Sequence, residues 1–121
     1  MSLSTKQRRF TECIGKLITF AYSKGWGLTF GDAYRDSRAF GFFGIKKLYS
    51  SVRSVHKIRL AVDFNLFVDN KYIKVKTPEY EELGGYWESL DTEARWGGRF
   101  TKPDPNHFSF THWGVKERVH R

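Results

Sequence analysis

Two short segments of this 121-residue chain carry the side chains best suited to hold a metal ion. The first segment runs from His56 to Asp63, and the second contains Asp104 and His107. Two imidazoles and one carboxylate form a three-ligand set for zinc that leaves one coordination position for water. A further carboxylate, that of Asp104, is suited to accept a proton from that water. These residue types predict a small hydrolase with one zinc ion per chain.

The elements that must position these side chains are two strands with alternating apolar residues. Along residues 59–68 the apolar side chains occupy every second position, so Asp63 faces away from them. Along residues 107–111 the same alternation turns His107 away from the phenylalanines. Both side chains are therefore expected on polar faces of strands whose other faces are anchored in the core. His56 precedes the first strand at an odd separation from Asp63, so a turn or a loop must bring it to the same side.

Helices and turns complete the predicted order of elements. A capping box of Ser4 and Gln7 predicts the start of one helix, and Thr77-Pro78 predicts the start of another. The other predicted elements are a short strand at residues 28–30, a turn at Asp69-Asn70 with a returning strand at residues 71–75, and loops at residues 96–98 and 103–106. This order predicts an α+β fold in a single domain that spans residues 1–121.

The chain is strongly basic, with 21 Lys and Arg, 13 Asp and Glu, and a formal net charge of +8. Nucleic acid, anionic lipid headgroups and an anionic cell-wall polymer would each match this charge. The single cysteine, Cys13, excludes an internal disulfide and a zinc site built from several cysteines. The polar N-terminus has no secretory pattern, which predicts synthesis in the cytoplasm without a signal peptide.

The motif residues resemble those of a known family. The order and spacing of that family's motif residues are matched here by Ser54-Val55-His56, Asp63, Trp96-Gly97-Gly98 and Asp104-Pro105-Asn106-His107-Phe108. The family comprises zinc peptidases that include D-alanyl-D-alanine carboxypeptidases, D-alanyl-D-alanine dipeptidases and phage L-alanyl-D-glutamate endolysins. The resemblance covers residues 26–110, and the endolysin branch is the most similar in size and in its Trp-Gly-Gly segment. It implies an α+β domain of the D-alanyl-D-alanine carboxypeptidase and hedgehog-like type, with an antiparallel sheet and flanking helices.

The resemblance also assigns roles to the metal-site residues. It implies that His56, Asp63 and His107 bind zinc and that Asp104 is the general base. The alternative for Asp104 is structural, because Asp before Pro is a common turn pattern. The Trp-Gly-Gly segment is expected to serve packing and turn geometry rather than direct contact with substrate.

Two further residues are expected to contact the substrate. Tyr34-Arg35 is similar to a Tyr-Arg element of the family whose arginine lies in the active site. Arg35 would stabilise the developing oxyanion or hold a substrate carboxylate. Its alternative is a solvated salt bridge. Ser54 is the motif serine, with capping of the ligand loop as its alternative.

Two positions depart from the family pattern. The family usually has Gly three residues after the first ligand, where this chain has Arg59. It also often has Glu two residues after the last ligand, where this chain has Ser109. The first departure affects the loop that delivers His56, and the second removes a carboxylate that would tune the metal site. Neither one replaces a predicted ligand.

The resemblance implies that the substrate is the stem peptide of bacterial peptidoglycan, cut at the L-Ala–D-Glu bond as in the endolysin branch. Action is expected on the cell wall, in the periplasm or from outside. The chain is expected to act as a monomer whose basic surface engages the anionic envelope, with no nucleic acid partner. Two alternatives remain: a D-Ala-D-Ala carboxypeptidase or dipeptidase with the same site, and a non-enzymatic basic module that binds nucleic acid or the cell wall.

Overall fold

One antiparallel sheet and two helices make up residues 2–31 and 58–112, the part of the chain that this computed structural model describes. In chain order, the elements are α1 (Leu3–Ser23), β1 (Gly27–Phe30), β2 (Ala61–Val68), β3 (Lys71–Ile73), α2 (Pro78–Ser89), β4 (Ala94–Trp96), a 3-10 helix (Gly97–Arg99) and β5 (His107–Phe110). The predicted α+β class, with an antiparallel sheet and flanking helices, is confirmed. Within these residues no helix is both long and apolar enough to span a membrane.

Strand β2 is the centre of the sheet, because three strands pair with it. Strand β1 pairs with residues 64–67 along one edge. Strand β5 pairs with residues 61–63 and β3 pairs with residues 66–68, so these two strands lie end to end along the other edge. Strand β4 pairs with the outer edge of β5.

The hydroxyl of Tyr80, on α2, fills the break between β5 and β3. It donates to the carbonyl oxygen of Phe64 at 2.8 Å and accepts from the amide nitrogen of Leu66 at 3.2 Å. Tyr80 is only 1% exposed. Burial raises the pKa of its phenol, which therefore stays protonated and keeps donating. One side chain thus fixes α2 to the centre of β2, next to Asp63.

We expect Tyr80→Phe to lower the free energy of unfolding by about 1–3 kcal/mol, because it leaves buried backbone groups of β2 without the hydroxyl that they bond. Urea denaturation measures the change as a lower midpoint at constant slope. The matched control on the same helix is Tyr86→Phe, which keeps the ring that stacks on Phe20 at 4.1 Å. Equal midpoints for the two variants would contradict a bridging role for the Tyr80 hydroxyl.

Both helices pack on the same face of the sheet, and aromatic side chains join the two layers. The ring of Phe10 on α1 meets Trp87 of α2 at 5.6 Å and Phe110 of β5 at 5.2 Å, in both cases edge to face. The buried core residues are Phe10, Cys13, Leu17, Ala21, Leu60, Val62, Phe64, Leu66, Tyr80, Leu83, Trp87, Ala94, Trp96, Phe108 and Phe110. The alternation predicted for β2 and β5 is confirmed, since their even-numbered residues supply this core.

Some predicted boundaries are confirmed and others are wrong. Thr77-Pro78 begins α2 as predicted, with the Thr77 hydroxyl as the cap. The cap of α1 is Ser2 and not Ser4, because the helix already begins at Leu3. The turn at Asp69-Asn70 has positive φ at both residues, 53° and 65°, as a two-residue type I′ hairpin requires. The strand that returns from it ends at Ile73 rather than at residue 75.

Candidate active site

Asp63 on β2 and His107 on β5 lie directly opposite each other in the sheet. The neighbouring hydrogen bond, from Phe64 N to Asn106 O, makes theirs a non-hydrogen-bonded pair. Cα atoms at such positions are about 4.5 Å apart, closer than at hydrogen-bonded positions, so the side chains meet. They meet on the face opposite the helices, as the alternation of apolar residues predicts.

The separation of these two side chains fits two ligands of one zinc ion. Asp63 Oδ1 lies 3.6 Å from His107 Nδ1, and the residues are 6% and 7% exposed. Two donor atoms on a tetrahedral zinc ion, each at about 2.0–2.2 Å, are roughly 3.3 Å apart. The ring of Phe100 packs against the imidazole, with 5.3 Å between centroids. A carboxylate and an imidazole held in this way form a donor pair that zinc accepts.

The remaining predicted site residues, His56, Ser54 and Arg35, lie outside the described residues. Across residues 2–31 and 58–112, no group of three or more His, Cys, Asp or Glu side chains is placed to hold a metal ion. Asp63 and His107 therefore supply two donors. A three-ligand site needs another donor from elsewhere in the chain, and His56 is the residue that the sequence predicts for it.

Asp104 lies in the exposed loop before β5 and is held there by its backbone. Its amide nitrogen donates to Gly97 O at 2.9 Å, and its carbonyl oxygen accepts from His107 N at 3.0 Å. The negative charges of Asp104 and Asp63 both add to the rise in the pKa of Tyr80, after the larger effect of burial. The bond from His107 N to Asp104 O places the Asp104 backbone beside one member of the Asp63–His107 pair. An exposed carboxylate can exchange protons with solvent, as a general base must.

Gly97 permits the close approach of this loop to the 3-10 helix. A Cβ atom at Gly97 would lie 2.7 Å from His107 Cβ, and still closer to the carbonyl oxygen of Asp104. Real Cβ atoms do not approach other atoms so closely. Gly97 is not among the residues with positive φ, so contact distance rather than backbone conformation requires glycine here. The glycine thus fixes the relative positions of Asp104 and His107.

The side chain of Trp96 supports the loop that contains Asp104. The prediction that Trp96 itself lies in a loop was wrong. It is the last residue of β4, a strand that the sequence analysis missed because its three residues are too few to show alternation. Its fully buried indole donates to Pro105 O at 2.7 Å. Cβ atoms at Gly84 and Gly98 would both overlap the indole ring, so the ring fits only between two glycines. The expected role of the Trp-Gly-Gly segment in packing is confirmed, and its packing supports the candidate site.

The turn expected between His56 and β2 is present at residues 58–59. Strand β2 consequently begins at Ala61, not at residue 59. Arg59 in this turn has φ of 59°, in the left-handed region that favours glycine. A glycine would adopt this φ without the steric cost that a Cβ atom adds, whereas Arg59 adopts it with a side chain. The other departure, Ser109, is fully buried and pairs with Ala61 across the sheet.

Sequence comparison bears on the same region of the chain. A sequence model of the D-alanyl-D-alanine carboxypeptidase family matches residues 49–110, just over half of the chain. The matched range includes β2, the Asp104 loop and β5, together with His56 and Ser54. No curated protein matches the chain. From this match, and from a sheet that brings Asp63 and His107 together, it follows that the chain belongs to the D-alanyl-D-alanine carboxypeptidase family of peptidases.

Proposed function

We propose that this protein is a zinc-dependent peptidoglycan peptidase of the endolysin type, which hydrolyses the L-Ala–D-Glu bond of the stem peptide. The observation that carries the proposal is the buried pair of Asp63 and His107, 3.6 Å apart on facing strands. The family supplies the peptidase class, and its members use zinc.

The proposed zinc ligands are His56, Asp63 and His107, with one ion per chain. Zinc bound by these residues would lower the pKa of a bound water and polarise the scissile carbonyl. Asp104 takes the proton from the water and gives it to the leaving amine. Its exposed position suits this exchange, because the carboxylate can face both the substrate and the donor pair. The bonds from its backbone to Gly97 and His107 hold that carboxylate in place.

We assign substrate recognition to Arg35 and Ser54 and to the net positive charge of the chain. Arg35 would hold a substrate carboxylate or stabilise the oxyanion, and Ser54 would contact the substrate backbone. Stem peptides carry several carboxylates, which suits a chain of net charge +8. The same charge would hold the enzyme at an anionic cell envelope.

Digestion of purified peptidoglycan by the zinc-loaded protein tests the proposal. We expect new amino termini on D-Glu, identified by mass spectrometry of the released peptides. Release of terminal D-Ala instead would assign the carboxypeptidase or dipeptidase activity to the same site. No release at all, together with salt-sensitive binding to DNA and no bound zinc, would overturn the proposal in favour of a binding module.

A further inference from the structure

The face of the sheet that carries Asp63 continues along β1 as a shallow trough. The β1 trough is defined by Gly27, Thr29 and Gly31, the residues of this edge strand and its extension that share the face of Asp63. The register places Gly27 opposite Phe67 and Thr29 opposite Asn65. Gly31 N donates to Asp63 O at 2.8 Å, so the trough begins beside the candidate ligand.

Two of the three trough residues are glycines, so no side chain of their own covers the backbone at those positions. Among the described residues, a Cβ atom at Gly27 would meet only Phe67 Cβ, at an ordinary 3.7 Å. At Gly31 a Cβ atom would meet Asn65 Oδ1 and Asp63 Cβ of the neighbouring strand β2, each at 3.2 Å. Within residues 2–31 and 58–112, the backbone of β1 is thus accessible from the side of the candidate site, as in other strands where a ligand approaches closely.

Polar side chains link the trough to the candidate site. Asn65 Oδ1 accepts from Asn106 Nδ2 at 3.4 Å and from the Tyr72 hydroxyl at 3.3 Å. The Asn65 amide donates to the Thr29 hydroxyl at 3.3 Å. Asn106 directly precedes His107 in the chain. These hydrogen bonds are long, so hydroxyl or amide groups of a ligand can replace them at little cost.

The trough ends at an open cavity of about 450 Å³, a volume typical of sites for small molecules. Gly27 of the trough also lines the cavity, and so does Phe67, which lies opposite Gly27 in the sheet. The other lining residues are Tyr22, Gly25, Trp26, Asp69 and Asn70. Aromatic rings beside a carboxylate and an amide match a sugar, whose C–H face packs on the rings while its hydroxyls bond the polar groups.

We propose that the β1 trough and this cavity bind the amino sugar to which the stem peptide is attached. The inference rests on the proposed function, and the spacing of the two sites supports it. Phe67 follows Asp63 by four strand residues, or about 13 Å. A peptide cut after its first residue needs roughly 7 Å to reach back through that residue and the lactyl linker. The sugar ring then begins within the trough and extends to the cavity.

Gly27→Val tests the inference, because it fills the trough with a side chain that strands favour and that has room beside Phe67. Hydrolysis rates are measured on a stem peptide carrying N-acetylmuramic acid and on the same peptide without the sugar. We expect the wild type to prefer the sugar-linked peptide by at least about tenfold in kcat/KM, an effect of roughly 1.4 kcal/mol. Gly27→Val should remove that preference. Asn70→Gly keeps the left-handed turn, deletes the amide and should reduce the preference severalfold.

The matched control is Gly15→Ala on α1, which should keep the wild-type preference because a Cβ atom there meets no described residue within 4 Å. Binding of a peptide-free amino-sugar disaccharide is followed through the indole NMR signal of Trp26, and it should be lost in Gly27→Val. Equal rates of the wild type on the two peptides, or a preference that survives Gly27→Val, would overturn the inference. Failure to cleave either peptide would instead count against the proposed function, and disaccharide binding would then still test the cavity.

Discussion

Asp104→Asn is expected to lower kcat on peptidoglycan by about 10²–10⁴-fold, the usual contribution of a general base, while the protein keeps one zinc ion per chain. His107→Ala is expected to lose both zinc and activity, because only two of the three proposed ligands remain. Zinc content by mass spectrometry and turnover of one peptide substrate, measured on the same samples, separate the two roles.

The hydrogen bonds that position the Asp104 loop do not depend on the carboxylate that the Asn variant replaces. The contacts of Asp104 with Gly97 and His107 run through the backbone, so replacing the carboxylate by an amide of the same shape leaves them in place. Its side chain is exposed, so asparagine fits at this position without crowding the core. Asp104→Glu keeps a carboxylate in the loop and should recover part of the lost turnover.

His112→Ala is the control for His107→Ala, since His112 lies just beyond β5 and outside the motif. It should keep zinc and activity. Full activity of Asp104→Asn would remove Asp104 from the mechanism, and loss of zinc from that variant would make it a ligand instead. Retention of zinc by His107→Ala would contradict the proposed ligand set.

The site pair was predictable because it depends on strand periodicity, which is local. Alternation in β2 and β5 turns Asp63 and His107 to the same side whenever the two strands pair in register. The start of α2 was equally predictable, since Thr77-Pro78 combines a capping hydroxyl with a proline that needs no hydrogen bond. Both features can be predicted from residues that are close together in the sequence.

The support around the pair was not predictable, because it depends on residues far apart in the chain. Nothing near Tyr80 indicates that its hydroxyl bonds the backbone of β2 between two partner strands. The indole of Trp96 is enclosed by Gly84 and Gly98, but only one of these glycines adjoins it in sequence. The conformation of Arg59 was hidden for a different reason: arginine gives no signal for a left-handed φ, whereas glycine would.

The other large effect is expected from Gly97→Ala, a change that adds one methyl group. The new Cβ would meet the carbonyl oxygen of Asp104 and the Cβ of His107, which are backbone or nearly so and cannot rotate away. The loop must therefore move. A displacement of about 1 Å at a catalytic group costs roughly 10²-fold in rate, and overpacking destabilises by about 1–3 kcal/mol.

Gly85→Ala on α2 separates the effect on rate from a general intolerance of alanine. A Cβ at Gly85 meets no atom of the described part of the chain within 4 Å, and alanine is the better helix former. This variant should therefore be up to about 1 kcal/mol more stable, with unchanged turnover. Gly97→Ala should lose turnover even at temperatures where circular dichroism shows it fully folded. Normal kcat in that folded state would mean that the loop can shift without moving Asp104 relative to His107. Positioning of the base would then depend on the Trp96 contact to Pro105 O rather than on Gly97.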